Sequence, residues 1–194
     1  MARTGMTALI EELRALTEAG TAEYTIGTTV HWSDNALQDM LDLYRADHIH
    51  SPLYPYPIVV SGGTLQYFDY RTQIPYFEAT GGGTSVFYIQ DGTGATVGTS
   101  LWSMDCRRGY ITFTSDTLGS TLFFTGRSFD INAAAGAVWQ RKAAHYAPTS
   151  FNFSTDNHSI SREQVYIHCQ EMAAFFQGIS NSGVQTVDRY RSDM

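Results

Sequence analysis

Read for the spacing of its apolar positions, the chain has helical ends around a strand-like middle. Near the N-terminus Leu9, Leu13 and Leu16, with Ile10 beside them, recur at helical spacing; Thr7 is placed to cap this segment, and the pattern stops near Ala19-Gly20. Ser33 is placed to cap a second helix, with Asp34 in its first turn, where negative charge meets the positive end of the helix dipole. Leu37, Met40, Leu41 and Tyr44 form its apolar stripe. Both stripes are one-sided, so both helices must pack on something else. Helical spacing returns after the N-cap candidate Asp130, with Ile131, Ala134, Ala135, Val138, Trp139, Ala143 and Tyr146 on one broad face and Pro148 ending it. The alanines predict close helix–helix approach. Ser161-Arg162-Glu163-Gln164 reads as a capping box, Ser161 and Gln164 each satisfying a backbone donor, and opens a last helix. Its buried face is Val165, Cys169, Met172, Ala173 and Phe176, and it ends near Gly178. The polar residues beyond lack periodicity, and 181–194 reads as a flexible tail.

From Ser51 to Arg127 the character changes to strand-like runs, rich in β-branched and aromatic residues and separated by glycine turns. Pro52, Pro55 and Pro57 exclude helix and mark a boundary. Strands are predicted over Leu65 to Tyr70, Ser85 to Gln90, Tyr110 to Thr114 and Thr121 to Thr125. Asp91-Gly92 is a hairpin signal, and Leu118-Gly119-Ser120 reads as a second hairpin turn between the last two strands. The expected fold class is therefore α+β: a four-helix bundle drawn from both chain ends (residues 1–50 and 129–180), with an antiparallel β-rich insertion over 51–128 and the tail.

Composition supports a globular chain. Of 194 residues, 43% are hydrophobic and 13% aromatic, enough to build a real core. No apolar run approaches the roughly 18 residues of a membrane span, and the N-terminus shows no signal-peptide pattern, so a protein made in the cytosol is expected. The net charge of −7 is concentrated: residues 1–47 hold eight carboxylates against three arginines, a balance of 3 − 8 = −5. Lys142 is the sole lysine. Tight nucleic-acid binding needs a basic stripe, and none is present. An acidic surface suits instead a channel wall that DNA slides past without specific binding.

Candidate chemistry is sparse, and no catalytic role, metal or cofactor is expected. His48 and His50 form a His-x-His pair without a carboxylate at matching spacing. His168 and Cys169 are neighbours on a helix and diverge by roughly 100°. Asp105-Cys106-Arg107-Arg108 mixes thiol, acid and base, yet reads equally well as a charged hairpin turn. Gly81-Gly82-Gly83-Thr84 lacks the lysine and following helix of a phosphate loop. The one pattern that stands out is aromatic: Tyr54, Tyr56, Tyr67, Phe68 and Tyr70, followed by Tyr76 and Phe77. It reads either as one face of a sheet core or as a protein interface, where aromatics are enriched.

The two chain ends resemble the head–tail connector (adaptor) proteins of long-tailed bacteriophages. The resemblance rests on Leu9-Ile10-Glu11-Glu12-Leu13-Arg14 and Trp32-Ser33-Asp34-Asn35-Ala36-Leu37-Gln38. It rests more specifically on the alanine-rich helix from Asp130 to Ala144, followed by Phe151-Asn152-Phe153-Ser154-Thr155-Asp156 and the Ser161-Arg162-Glu163-Gln164 start. It covers roughly half of the chain and leaves the β-rich middle unmatched. The resemblance implies a structural virion protein of the phage neck, assembled in the host cytoplasm and not an enzyme. It further implies a twelve-subunit ring between the portal protein and a stopper or tail-completion protein, lining the channel for DNA ejection. In such proteins the C-terminal segment reaches the portal, which here points to Val187, Arg189, Tyr190 and Arg191. Another virion component (a stopper, tail-completion or decoration protein) is the alternative expectation.

Overall fold

The computed structural model describes residues 2–60, 62–79, 86–149, 152–155, 158–161 and 163–180, with the backbone alone between 149 and 161. In chain order the elements are α1 (Thr7–Thr17), β1 (Tyr24–Ile26), β2 (Thr29–His31), α2 (Asp34–Asp42), β3 (Arg45–Pro52), β4 (Tyr54–Val59), β5 (Leu65–Arg71), β6 (Tyr88–Asp91), β7 (Trp102–Asp105), β8 (Tyr110–Phe113), β9 (Leu122–Phe129), α3 (Ile131–Tyr146), β10 (Asn152–Thr155), β11 (His158–Ser161) and α4 (Glu163–Ile179).

The fold is α+β, but the expected four-helix bundle is overturned. Helix α3 lies at the centre of the helical part; α1 and α2 pack against it, while α4 returns antiparallel along it. Helices α1 and α2 are only eleven and nine residues long, too short to line a bundle with their longer neighbours. The remaining chain forms four antiparallel sheets: β1-β2, β10-β11, β3-β9-β6 and β4-β5-β8-β7. The last two enclose one core that includes Tyr70, Phe77, Phe87, Ile89, Ile111 and Phe124. A second core, built on Leu13, Trp32, Leu37, Met40, Val138 and Trp139, lies among the helices.

Local signals explain the helix starts. Ser33 Oγ accepts from the Ala36 amide at 3.3 Å, and Asp130 Oδ1 accepts from the Ala133 amide at 2.9 Å, so both expected caps are made. Thr7 does not cap α1. A turn of 3-10 helix (Thr4–Met6) precedes that helix, and the Thr7 hydroxyl donates back to Thr4 O. The Ser161 cap falls outside the described side chains. Of the apolar face expected on α4, Cys169, Ala173 and Phe176 are buried and Val165 is exposed.

Two further expectations change. Residues 45–50, counted with the helical part, lie in strand β3, held by its pairing with β9 from Arg45↔Phe129 to Pro52↔Phe123. It buries almost nothing, so its sequence has no period to read. The Leu118-Gly119 turn is made, with both residues at positive φ, yet it joins strands of different sheets. The Asp91 turn matches its reading: Asp91 Oδ1 accepts from the Thr93 and Ala95 amides.

The two cores meet at Asp130. Strand β9 runs directly into α3 there; the Asp130 amide donates to Tyr44 O, and Asp130 Oδ2 accepts from the Ser180 hydroxyl at the end of α4. Arg3 makes a second clasp. Its guanidinium forks onto Asp42 at 2.7 and 2.9 Å and reaches the buried Glu78 at 2.9 Å, joining the N-terminus, α2 and the β part.

Replacing Asp130 by Ala is expected to lower the unfolding free energy by about 1–2 kcal/mol, the usual cost of a lost N-cap. Asn, which keeps an accepting oxygen, should lose less. Denaturant midpoints for the two variants check this, and equal losses would show that the cap itself contributes little.

Candidate functional site

Strands β4 and β5 form a ribbon whose tip extends beyond the rest of its sheet. Strand β8 pairs with β5 only from Asp69 to Arg71, leaving the pairs Ile58↔Gln66 and Val59↔Leu65 beyond it as a two-stranded arm. Its tip turns through Gly62 and Gly63, both at positive φ with open space around them. Every residue of β4 is exposed, so neither face of the arm is covered by the subunit. Tyr54, Tyr56, Ile58 and Leu65 all lie in solvent, as does Val59 at 68%. Apolar side chains are thus exposed on both faces of one ribbon.

At the base of the arm, pairing fixes which side chains share the outer face. Tyr54 opposes Arg71 and Tyr56 opposes Asp69, while Asp69 and Arg71 oppose Thr112 and Tyr110 on β8. The Arg71 guanidinium lies 4.1 Å from the Tyr56 ring centre and 4.7 Å from that of Tyr110, a cation between two π faces. Asp69 accepts from the Thr112 hydroxyl beside it. A planar array of tyrosines around an arginine is the composition of protein-binding hot spots.

The free edge of β4 is poor in backbone donors near its base. The Thr72 amide donates to Gly109 O on the β8 side. By alternation Asp69 and Arg71 turn their amides toward β4, and Tyr54 and Tyr56 face them. Pro55 then sits where an amide would point outward, and Pro57 has no donor at all. At its base the outer edge of β4 therefore offers side chains and few backbone donors.

The aromatic cluster read from the sequence is divided by the fold. Tyr54 and Tyr56 are exposed; Tyr67 and Phe68 are half-buried. Tyr70 is fully buried, and its hydroxyl donates to Ser120 O and contacts Thr117 Oγ1, so it anchors the loop after β8 and is no interface residue. Phe77 is also core, edge-on to Phe87 and Phe124. The tail residues Val187, Arg189, Tyr190 and Arg191 lie outside the described residues, as does Gly81-Gly82-Gly83-Thr84.

A second uncovered surface runs along α4. Phe175 and Ile179, four residues apart, flank the face packed on α3 and are 57% and 47% exposed. The apolar face read from the sequence does not include them; the alanine-rich α3 is too slim to cover the full apolar width of α4.

The groups singled out for chemistry have structural surroundings. His48 Nε2 lies 2.7 Å from Ser128 Oγ, and His50 stacks on Phe123 at 4.0 Å. Among the described residues no three His, Cys, Asp or Glu side chains gather as metal ligands. Cys106 lies in the hairpin turn between β7 and β8, where Asp105 Oδ1 accepts from the Arg107 and Arg108 amides. Burial, with Asp105 adding to it, pushes the Cys106 thiol up, the opposite of an activated nucleophile. The acidic N-terminal excess is largely paired: Glu12 with Arg107, Glu23 with Lys142, Asp34 with Arg14, Asp42 with Arg3 and Asp47 with Arg45. Lys142, unremarkable in the sequence beyond being the only lysine, is buried against Trp139, with Nζ 2.8 Å from Glu23 Oε2. That contact lacks hydrogen-bond alignment and is an ion pair only.

A third feature is a cleft of about 360 Å3 between the helical and β parts, walled by Tyr44, His48, Ile74, Tyr76, Phe129 and Ile131. Gln73 and Tyr76 on its rim hold left-handed backbone, at φ 62° and 61°, a conformation that costs on the order of 1 kcal/mol or more for a side-chain-bearing residue. Their strap is pinned at Gly109 (φ 68°), where an added Cβ would run into Ile74 O and Thr72 Oγ1.

Compared with known proteins, the chain matches no family model and no curated sequence. Among the described residues no helix is long and apolar enough to cross a membrane.

Burial holds both His48 and His31 below the ordinary histidine value of about 6.5. The unfolded chain then takes up protons that the folded chain refuses. Stability is therefore full above about pH 6.5 and falls as pH drops below it, before the carboxylates titrate. The check is unfolding free energy between pH 7.5 and 5.5, with a shallower fall expected for His48→Gln; an unchanged slope would remove His48 from this account.

Proposed function

We propose that the protein is a structural component of a phage virion, an adaptor subunit that assembles into a ring at the neck between the portal and the stopper or tail. The observation that carries this reading is the presence of two unlike apolar surfaces on one small chain: the β4–β5 arm and the α4 flank at Phe175 and Ile179. A subunit in a closed ring meets one neighbour with one surface and the other neighbour with a different one, which is a heterologous interface. The likeness of the chain ends to connector proteins supports the same reading, and the aromatic and arginine composition at the base of the arm suits a protein partner.

In this reading the arm reaches over the adjacent subunit and the C-terminal residues Val187, Arg189, Tyr190 and Arg191 engage the portal. Glu11, Glu18 and Asp39, which form no ion pair among the described residues, are the carboxylates left for a channel wall that repels DNA phosphates. No catalytic step is assigned to the chain, and no cofactor.

A second reading is a stopper, tail-completion or decoration protein. The two-sheet β part with its own core favours it, since that part and not the helical part would then meet the partner.

Averaged electron micrographs of the assembled protein separate the two: twelvefold symmetry is expected for the adaptor, whereas threefold or sixfold symmetry would overturn it. Tyr56→Ser with Val59→Ser is expected to leave the subunit folded and to cut ring formation at least about tenfold, the loss of roughly 1.4 kcal/mol per interface. Removal of residues 184–194 should abolish portal docking in a pull-down without loss of the folded signal.

A further inference from the structure

The cleft between the helical and β parts is mostly apolar, lies at the junction of two cores, and has no occupant among the described residues. Its wall includes Asp130 and Asn132 at the start of α3. Asp130 is also where the chain leaves α4, since its Oδ2 accepts from the Ser180 hydroxyl at 2.8 Å. Fourteen residues, 181–194, therefore depart from the rim of this cleft.

Those residues have a fitting composition. Val184, Val187 and Tyr190 recur every third position in a segment whose other residues, Gly183 and Met194 apart, are polar, and Tyr190 is its only aromatic. An extended chain covers roughly 3.3 Å per residue, so Val184 can reach about 13 Å from Ser180 and Tyr190 farther still. Gly183 permits the turn that a return path requires. On the receiving side Tyr44, Ile74, Tyr76, Phe129 and Ile131 present apolar surface.

We infer that the cleft is the seat of the chain's own C-terminal segment, with Tyr190 as the principal anchor and Val184 and Val187 beside it. Tethering favours this occupant over any free one. A short linker gives the segment an effective concentration on the order of millimolar at a cleft that begins where the linker does. A weak contact is then enough to keep the segment seated in the free subunit, and a partner that binds the same residues must draw it out. In a neck ring the portal would be such a partner, so the seat would withhold the tail until docking. The seat itself does not depend on that assignment.

The test uses the isolated full chain, a chain ending at Gly183, and Tyr190→Ala. Hydrogen–deuterium exchange is followed at Gln73–Tyr76 and in the tail. Removing the segment should speed exchange at Gln73–Tyr76 by about tenfold or more, with the helical and sheet amides unchanged as proof of folding. Tyr190→Ala should give most of that effect. A synthetic peptide of residues 181–194 at millimolar concentration should restore protection to the shortened chain. Equal exchange at Gln73–Tyr76 in the full and shortened chains would overturn the proposal. Protection lost on dilution would overturn it too, by assigning the segment to a second copy. With no portal present, failure here leaves the neck reading standing, and failed portal docking leaves the seat standing.

Discussion

At Asp130 one carboxylate and one amide bind three separate parts of the chain. The amide is held by Tyr44 O at the start of β3, Oδ1 caps α3, and Oδ2 receives the hydroxyl of Ser180 after α4. Because β9 passes into α3 with no linker, the direction of the last strand sets the direction of the central helix. The helical part has no other axis: α1, α2 and α4 all take their positions from α3. Rotating this junction would move the two cores relative to each other and open or close the cleft between them.

The helical part is secured by charge as well as by packing. Lys142 is buried on α3 with Glu23 as its counter-ion and Glu18 O as an acceptor, while Tyr146 OH donates to the other oxygen of Glu23. Desolvating such a pair offsets much of its attraction, so its net stabilisation is small, but removing one partner alone strands a buried charge. The pair thus specifies position: it fixes the segment after α1 against one turn of α3. Burial, with Glu23 adding to it, pushes Tyr24 and Tyr146 up to about 12, so both phenols stay neutral and serve as hydrogen-bond and stacking groups.

The elements legible in the sequence were those that bury one face with a regular period. The caps at Ser33 and Asp130 and the stripes of α1, α2 and α3 follow from this rule, as do the alternating strands β8 and β9; β5 and β6 were marked instead by β-branched and aromatic residues between glycine turns. Elements that bury little escaped it. Strand β3 carries charges and histidines along its length, β4 carries two prolines and no buried residue, and the β1–β2 hairpin has three residues per strand. Their pairing is set by distant partners such as β9, which no local window contains. The same limit affected the candidate surface. Tyr54, Tyr56 and Tyr70 look alike in sequence, and only the register of β5 between β4 and β8 decides that the first two face solvent and the third faces the core. The bundle expectation failed because helix count is local information while helix packing is not.

Pro55 and Pro57 also bear on how the isolated chain behaves in solution. An exposed ribbon bearing tyrosine, isoleucine and valine is the kind of segment that stacks into cross-β fibres. Stacking needs each added strand to find amide donors on the edge of the last. The two prolines withhold those donors at positions 55 and 57 and so shorten the ladder onto which a further strand could add. The sequence keeps a sticky surface while interrupting the backbone ladder by which it would polymerise.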